Sequence, residues 1–525
     1  MSQLIPQFGV NKQIVDGKYD PSVAVKCING TFVGKNEDNV LAFKGIPFVA
    51  RQPMGDLRWK APVSCIPDNG VYEAYYYGKT PLQPEGDAAS LYGTGEDCLY
   101  LNVWKAADAH PGKKPVMVWI YGGAFETGGT ADATYDSHNF VKENPDVIVV
   151  TIAYRVGVIG FFHLSHLADG KDYPDAQNLG LLDQRMALKW VHENIAAFGG
   201  DPDNVTIWGE SAGAASCTML PLVPDAQQYF KRVIAQSGAP VQTRSTEEAI
   251  VCTNDVMAEL GCKSVADLMK LSAEEIVDTA GRMFGLFQVM GVRTLPERDG
   301  KHLPLDPWKA YTEGAAKNIT FLSGCNKDEM NAFAGMMGPD AWNAWAANRI
   351  EKKFGVLTEE ERELARQYCD SVPGEDWQKT ASLFSQDWFI GPAVKLAEEQ
   401  TKAGGKVYAY LFTPESTLPM IKCGHAIEVA TLFNHQEFTD MSGRAFDATF
   451  GKYIRRMWVQ FAKTGNPSLT AAQSPDGKAK EWPLYDLESK RVMVLDEFNI
   501  HPEKEAQLKI VDWEKSYFLT NYYLL

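Results

Sequence analysis

The stretch Val205-Thr206-Ile207-Trp208-Gly209-Glu210-Ser211-Ala212-Gly213 sets the reading of this chain. Apolar and β-branched residues run directly into a serine held between two glycines. A strand that turns sharply into a helix forces its turning residue into strained backbone geometry. The residues two before and two after must then be small, because larger side chains would collide where strand and helix meet. Such a turn exposes the Ser211 hydroxyl at the C-terminal end of a strand. It also leaves the backbone N–H of Ala212, at the helix N-terminus, free to donate to an oxyanion.

Working outward, Val116-Met117-Val118-Trp119-Ile120 and Val147-Ile148-Val149-Val150-Thr151-Ile152 lack the alternation of a half-solvated strand. Continuous apolar runs of this length predict strands buried on both faces, as in a parallel sheet covered by helices. Leu182 to Val191 carries its apolar residues at helical spacing, and Gly199-Gly200-Asp201-Pro202 predicts a break before the serine's strand. Strand, helix, strand, helix is the rhythm of a doubly wound α/β sheet. Further strands are expected at Ile319–Leu322 and Val407–Phe412, and short ones such as Val23–Cys27 suggest an antiparallel edge. Mostly helical insertions are expected near 243–298 and 330–386, within one catalytic domain spanning 1–525.

The 525 residues are 45% hydrophobic and 22% charged, as in an ordinary soluble globular protein. A net charge of −16 argues against nucleic acid as a partner, since phosphate binding needs clustered Lys and Arg. No apolar stretch reaches membrane-spanning length. The N-terminal residues Met1 to Pro6 lack the basic and apolar regions of a secretory signal. The nine cysteines are scattered, with no CxxC pair, so neither a metal site nor a cofactor is indicated. Buried thiols in a reducing, cytoplasmic compartment are the expectation.

A serine hydroxyl needs a base within hydrogen-bond reach and an acid to orient that base. In sheets of this type the chain order is serine, acid, histidine. His425 lies in a glycine-loosened loop after the strand ending near Phe412, where a base belongs, ahead of His435 and His302. The acid should close another strand, and Gly324-Cys325-Asn326-Lys327-Asp328-Glu329 offers two adjacent carboxylates. Residue types alone leave Asp328 and Glu329 equivalent, one facing the imidazole while the other stays solvated. Tyr121-Gly122-Gly123-Ala124-Phe125 follows a buried strand, so Gly123 and Ala124 can join Ala212 as oxyanion donors, each worth about 3 kcal/mol of barrier.

These segments resemble the type-B carboxylesterases, the family that includes cholinesterases and bacterial and fungal carboxylesterases. The resemblance runs nearly end to end. It rests on Phe43 to Phe48, Leu57-Arg58-Trp59, Glu96 to Trp104, Trp119 to Gly123, Phe198 to Pro202, Gln236-Ser237-Gly238, Phe461 to Pro467 and Trp482-Pro483. It implies an α/β-hydrolase fold and a Ser211-Glu329-His425 triad, selecting Glu329 over Asp328. It also places Gly123, Ala124 and Ala212 on the oxyanion-hole positions, puts Glu210 at a site-lining position, and puts Glu428 on the acidic position after the base.

Some departures limit the transfer. Met330 stands where the family's glycine follows the acid, and Ala124 replaces the third glycine of the oxyanion loop. Cys98 and Cys262 lack their family disulfide partners, which fits a bacterial, intracellular enzyme. The stretch Pro84 to Tyr92 has no tryptophan to receive a choline headgroup. An apolar pocket is expected instead, with Phe125, Phe284, Phe287, Met290, Met330, Phe333, Met336 and Met337 as candidate walls. The expected activity is hydrolysis of small to medium, apolar or aryl carboxylic esters through an acyl-enzyme. Amide, thioester or feruloyl-type substrates are alternatives, and a non-catalytic binding protein is disfavoured by retention of the three triad residues.

Overall fold

The apolar runs form strands that lose nearly all contact with water, and the chain between them forms the covering helices. The computed structural model describes residues 9–84, 93–107, 113–285 and 293–505, apart from the side chains of residues 352–354 and 356. The chain divides into two compact units, each drawn from separate segments. The first comprises Met1–Trp208, Val223–Lys231 and Arg244–Leu305; the second comprises Gly209–Leu222, Arg232–Thr243 and Asp306–Leu525.

In the first unit the principal strands, in chain order, are β1 (Lys35–Glu37), β2 (Val40–Pro47), β3 (Tyr100–Ala106), β4 (Lys114–Ile120), β5 (Ile148–Ile152) and β6 (Gly200–Glu210), the last two residues of β6 belonging to the second unit. They lie in the order β6-β4-β5-β3-β2-β1. β4 and β5 run parallel, with Val116 opposite Ile148, and every residue of both is buried. The edge made by β3, β2 and β1 is antiparallel. A separate small sheet begins with Ala24–Cys27 paired antiparallel to Asn29–Val33. β6 starts earlier than its sequence pattern predicts. Gly200, Asp201 and Pro202, read above as a break, are its first residues, and Pro202 is tolerated because a missing donor costs little at a strand's start. The helix after β5 spans Leu179–Asn194.

In the second unit β7 (Arg232–Gln236), β8 (Thr320–Asn326), β9 (Lys406–Phe412), β10 (Arg491–Leu495) and β11 (His501–Lys504) are neighbours in that order. β7 to β10 are parallel and β11 closes the edge antiparallel. Parallel strands bring their C-terminal ends to one side, which is where ligands of open α/β sheets bind. β10 and β11 were not anticipated from the sequence, because they are short and lie in a charged neighbourhood. Residues 331–385 form the helices Asn331–Met337, Pro339–Val356, Glu359–Ser371 and Asp376–Ser385, followed by a π-helical turn at Gln386–Ile390. In the first unit Thr246–Glu259 and Ala273–Met283 are also helical.

The helix Ala212–Met219 packs so tightly after Ser211 that Gly238 has no room for a side chain. A Cβ there would stand 2.3 Å from the Ser211 carbonyl oxygen and 2.5 Å from the Ala215 nitrogen, both backbone atoms that cannot swing aside. Gly238→Ala is therefore expected to cost at least about 2 kcal/mol in urea-unfolding stability, as overpacking does. Its activity should fall as well, since the displaced carbonyl belongs to Ser211. An unchanged unfolding midpoint would contradict this packing.

Candidate active site

Ser211 sits at φ 58° and ψ −126°, a backbone conformation that residues with a Cβ rarely adopt. Two hydrogen bonds hold the turn: its N–H donates to the Gln236 carbonyl at 2.9 Å, and its carbonyl accepts from the Ala215 N–H at 2.9 Å. The residue stays partly accessible while Ala212, directly after it, is fully buried. The Ala212 N–H opens the helix and donates to no partner among the described residues.

The loops after β8 and β9 meet through Glu329 and His425. Asp328 N–H donates to Cys423 O and His425 N–H to Glu329 O, each at 3.0 Å, so one loop's backbone is laid against the other. His425 Nδ1 then lies 2.6 Å from Glu329 Oε2. Glu329 has no exposed surface. Its other oxygen accepts from the Ser237 hydroxyl at 2.5 Å and the Asn326 backbone N–H at 2.6 Å. Three donors thus converge on one buried carboxylate. Asp328, expected to stay solvated, is instead half-buried, with one carboxylate oxygen lacking a partner and burial raising its carboxyl. The other two histidine candidates are engaged elsewhere, His302 with Asp175 at 2.8 Å and His435 with Glu437 at 3.0 Å.

The far nitrogen of the imidazole, Nε2, lies 3.0 Å from Glu210 Oε1, yet neither atom has an aligned hydrogen bond. Burial raises the Glu210 carboxyl to about 8. Burial also pulls His425 down, but Glu210 and Glu329 outweigh it and carry the imidazole up to about 9. The two shifts compete, because a Glu210 that keeps its proton no longer draws His425 up. With no hydrogen bond to stabilise its charge, Glu210 follows burial and is neutral near pH 7. Above that pH its ionisation reinforces the pull of Glu329.

Several contributors carried no local sequence signal. Phe389, from the π-helical turn, lies 4.6 Å from the imidazole ring, whereas Phe333, a candidate wall from the sequence, lies 5.2 Å from it. Ser237 stands in the Gln236-Ser237-Gly238 motif, but only its contact with Glu329 reveals a role. Glu428 is buried, accepting from Asn326 Nδ2 at 2.8 Å and Gln236 Nε2 at 3.0 Å. Met330, a candidate pocket wall, has no exposed surface and packs with Trp342, Trp345 and Phe384. Met337 packs against the same cluster, whereas Met336 is exposed.

In the first unit Phe284 is buried against Leu268 and Ile276. Phe125 is buried edge-on to Phe161. Phe287, Met290 and residues 85–92 lie outside the described residues. The loop after β4 carries three successive positive φ angles, at Gly123 (107°), Ala124 (56°) and Phe125 (61°). The N–H groups of Gly123 and Ala124 donate to no described partner. No cluster of three or more His, Cys, Asp or Glu side chains that could hold a metal occurs among the described residues. No helix there is long and apolar enough to cross a membrane.

A strained serine turn after one strand, with a carboxylate and a histidine after two successive parallel strands, is the arrangement of the α/β-hydrolase class. The carboxylesterase family model matches residues 19–510, and the chain belongs to that family. It is 36% identical to the para-nitrobenzyl esterase of Bacillus subtilis over 92% of this chain and 97% of that protein. The acetylcholinesterase of Bungarus fasciatus is 30% identical, over 89% of this chain and 81% of its own length. A crystallised Geobacillus stearothermophilus carboxylesterase superposes with a TM-score of 0.81 at 34% identity, covering 93% of this chain and 99% of its own. The protein is accordingly an ester-hydrolysing enzyme.

The charge arrangement around His425 has a measurable consequence. If His425 serves as the base it must be unprotonated, so kcat/KM should climb with pH well beyond the ordinary imidazole range, toward about 9. Glu210→Gln removes one of the two carboxylates that raise His425, and should shift this rising limb to lower pH. A limb that stays in place, or moves up, would contradict the assignment.

Proposed function

We infer that Ser211 is the nucleophile, His425 the general base and acid, and Glu329 the carboxylate that orients the imidazole in an acyl-transfer cycle. The observation that carries this reading is the buried 2.6 Å contact between His425 and Glu329 within the segment structure that also holds the strained Ser211 turn. Ser211 Oγ attacks the ester carbonyl carbon as its proton passes to His425 Nε2. The C=O π pair moves onto oxygen, where the Ala212 N–H receives it, joined by Gly123 and Ala124 as the family resemblance assigns. Collapse breaks the C–O bond to the alcohol, which leaves with the proton from His425. Water then repeats the sequence on the acyl-serine, releasing the acid and restoring Ser211.

The unpartnered Nε2 leaves the base free to take the serine proton without first losing another hydrogen bond. Similarity to the para-nitrobenzyl esterase of Bacillus subtilis supports small to medium apolar or aryl carboxylic esters, benzyl esters among them, as the substrate class. Nine free cysteines support a reducing compartment.

Treatment with an organophosphate followed by mass spectrometry should label Ser211 stoichiometrically. His425→Ala should abolish labelling, and Ser211→Ala should lower para-nitrobenzyl ester hydrolysis by ~10⁴-fold or more. An active preparation in which Ser211 stays unlabelled would overturn the assignment.

A further inference from the structure

Within the first unit a second serine touches a second histidine, which is itself held by a buried glutamate. The acyl-transfer cycle of Ser211 uses none of the three. Ser165 Oγ lies 3.1 Å from His163 Nε2, and His163 Nδ1 lies 2.7 Å from Glu297 Oε2. A constellation of this kind is recognised by geometry and roles, whatever the chain order of its members. Both contacts fall within about 2.6–3.2 Å, the reach of proton transfer to a general base. A carboxylate at Nδ1 keeps the proton on that nitrogen and leaves the Nε2 lone pair to the serine hydroxyl.

Each member is fixed by its surroundings. Phe162 and Leu164, on either side of His163, are buried in the apolar cluster of Leu179, Leu182 and Ile276. The Phe162 N–H donates to Ala176 O at 3.0 Å. Glu297 is almost without exposed surface. Asn178 clasps its backbone, accepting from the Glu297 N–H at 2.8 Å and donating to its carbonyl at 2.9 Å. The other carboxylate oxygen accepts from the Thr246 hydroxyl at 2.6 Å, which leaves Oε2 to the imidazole. His166, the neighbouring ring, lies 3.0 Å from Asn254 Oδ1. Ser165 is exposed, so the network runs outward from a buried carboxylate to a hydroxyl that solutes reach. The N–H groups of Ser165 and His166 donate to no partner among the described residues.

We propose that Ser165, His163 and Glu297 form a second acyl-accepting site, at which Ser165 takes the acyl group of small activated esters such as aryl acetates. Ser165 Oγ bonds to the acyl carbon while its proton passes to His163 Nε2. The C–O bond to the aryl oxygen then breaks, and the phenol leaves with that proton, giving O-acyl-Ser165. Glu297 acts through His163 as a positioning residue. The proposal is independent of the Ser211 assignment, because all three residues belong to the first unit.

The test uses full-length Ser211→Ala enzyme with 4-nitrophenyl acetate, following nitrophenolate release and mapping acetylated peptides after acid quench. Ser22 is the internal control, an exposed serine whose hydroxyl donates to the Asp20 carboxylate at 2.7 Å. Ser165 should be acetylated at least about 100-fold faster than Ser22, the gain a positioned general base supplies. If the acyl group leaves again by hydrolysis, nitrophenolate release should instead fall at least about tenfold in Ser211→Ala/Ser165→Ala. Glu297→Gln should lower the Ser165-to-Ser22 ratio at least about tenfold, and Glu297→Asp should recover part of it, a graded response that lost packing would not give. Acetylation of Ser165 no faster than that of Ser22, together with release unchanged in the double variant, overturns the proposal. So does a His163→Gln enzyme with an unchanged unfolding midpoint that acetylates Ser165 within twofold of its parent.

Discussion

The fully buried Glu329 carboxylate is the constraint around which the second unit's chemistry is organised. A charge without exposed surface is costly unless it is hydrogen-bonded and paired. Glu329 meets that condition with Ser237, the Asn326 backbone and His425, which come from β7's end, β8's end and the loop after β9. Satisfying one carboxylate therefore locks three strand ends into a single arrangement. Ser237 itself is held at φ 58°, with its N–H on Gly324 O at 2.8 Å, so the support for Glu329 is as constrained as Glu329. Ser211 joins through the neighbouring carbonyl of Gln236.

Around this anchor the structure separates two kinds of buried acid. Glu329 is surrounded by donors. Glu210, 3.0 Å from the other ring nitrogen, has none aligned, and burial works against its ionisation. Two buried carboxylates beside one imidazole thus sit in different hydrogen-bonding environments. Glu428, bonded to two amide groups, adds a third case in which neutral donors compensate a buried acid. Trp458 completes that chain by donating to Gln236 at 3.0 Å.

What the sequence makes legible is what local pattern controls. Buried parallel strands show as uninterrupted apolar runs, and the strained serine shows as a strand followed by a small-residue frame. His425 can be favoured from its loop, and the family motifs supply the fold class. Other features depend on distance along the chain. Asp328 and Glu329 differ by one position, and the structure distinguishes them by a hydroxyl from Ser237, 92 residues away. Phe389 reaches His425 only because one helical turn widens to π geometry, which no residue pattern announced. Met330 reads as a pocket residue from its position after the acid, yet the tryptophans that bury it come from later helices. Gly200–Pro202 reads as a break because glycine and proline usually interrupt, and here they begin a strand.

The nine unpaired thiols carry a consequence for how this molecule can be handled. No disulfide limits the unfolded chain, so cohesion is non-covalent, and reductant leaves it untouched. Six of the cysteines are buried: Cys27, Cys98 and Cys252 in the first unit, Cys217, Cys325 and Cys423 in the second. Burial holds these six thiols above the ordinary cysteine range, which keeps them poor nucleophiles while the fold is closed. Each unit therefore contains its own chemical clock. The rate at which an alkylating reagent reaches each trio reports how often that unit opens, without any added label.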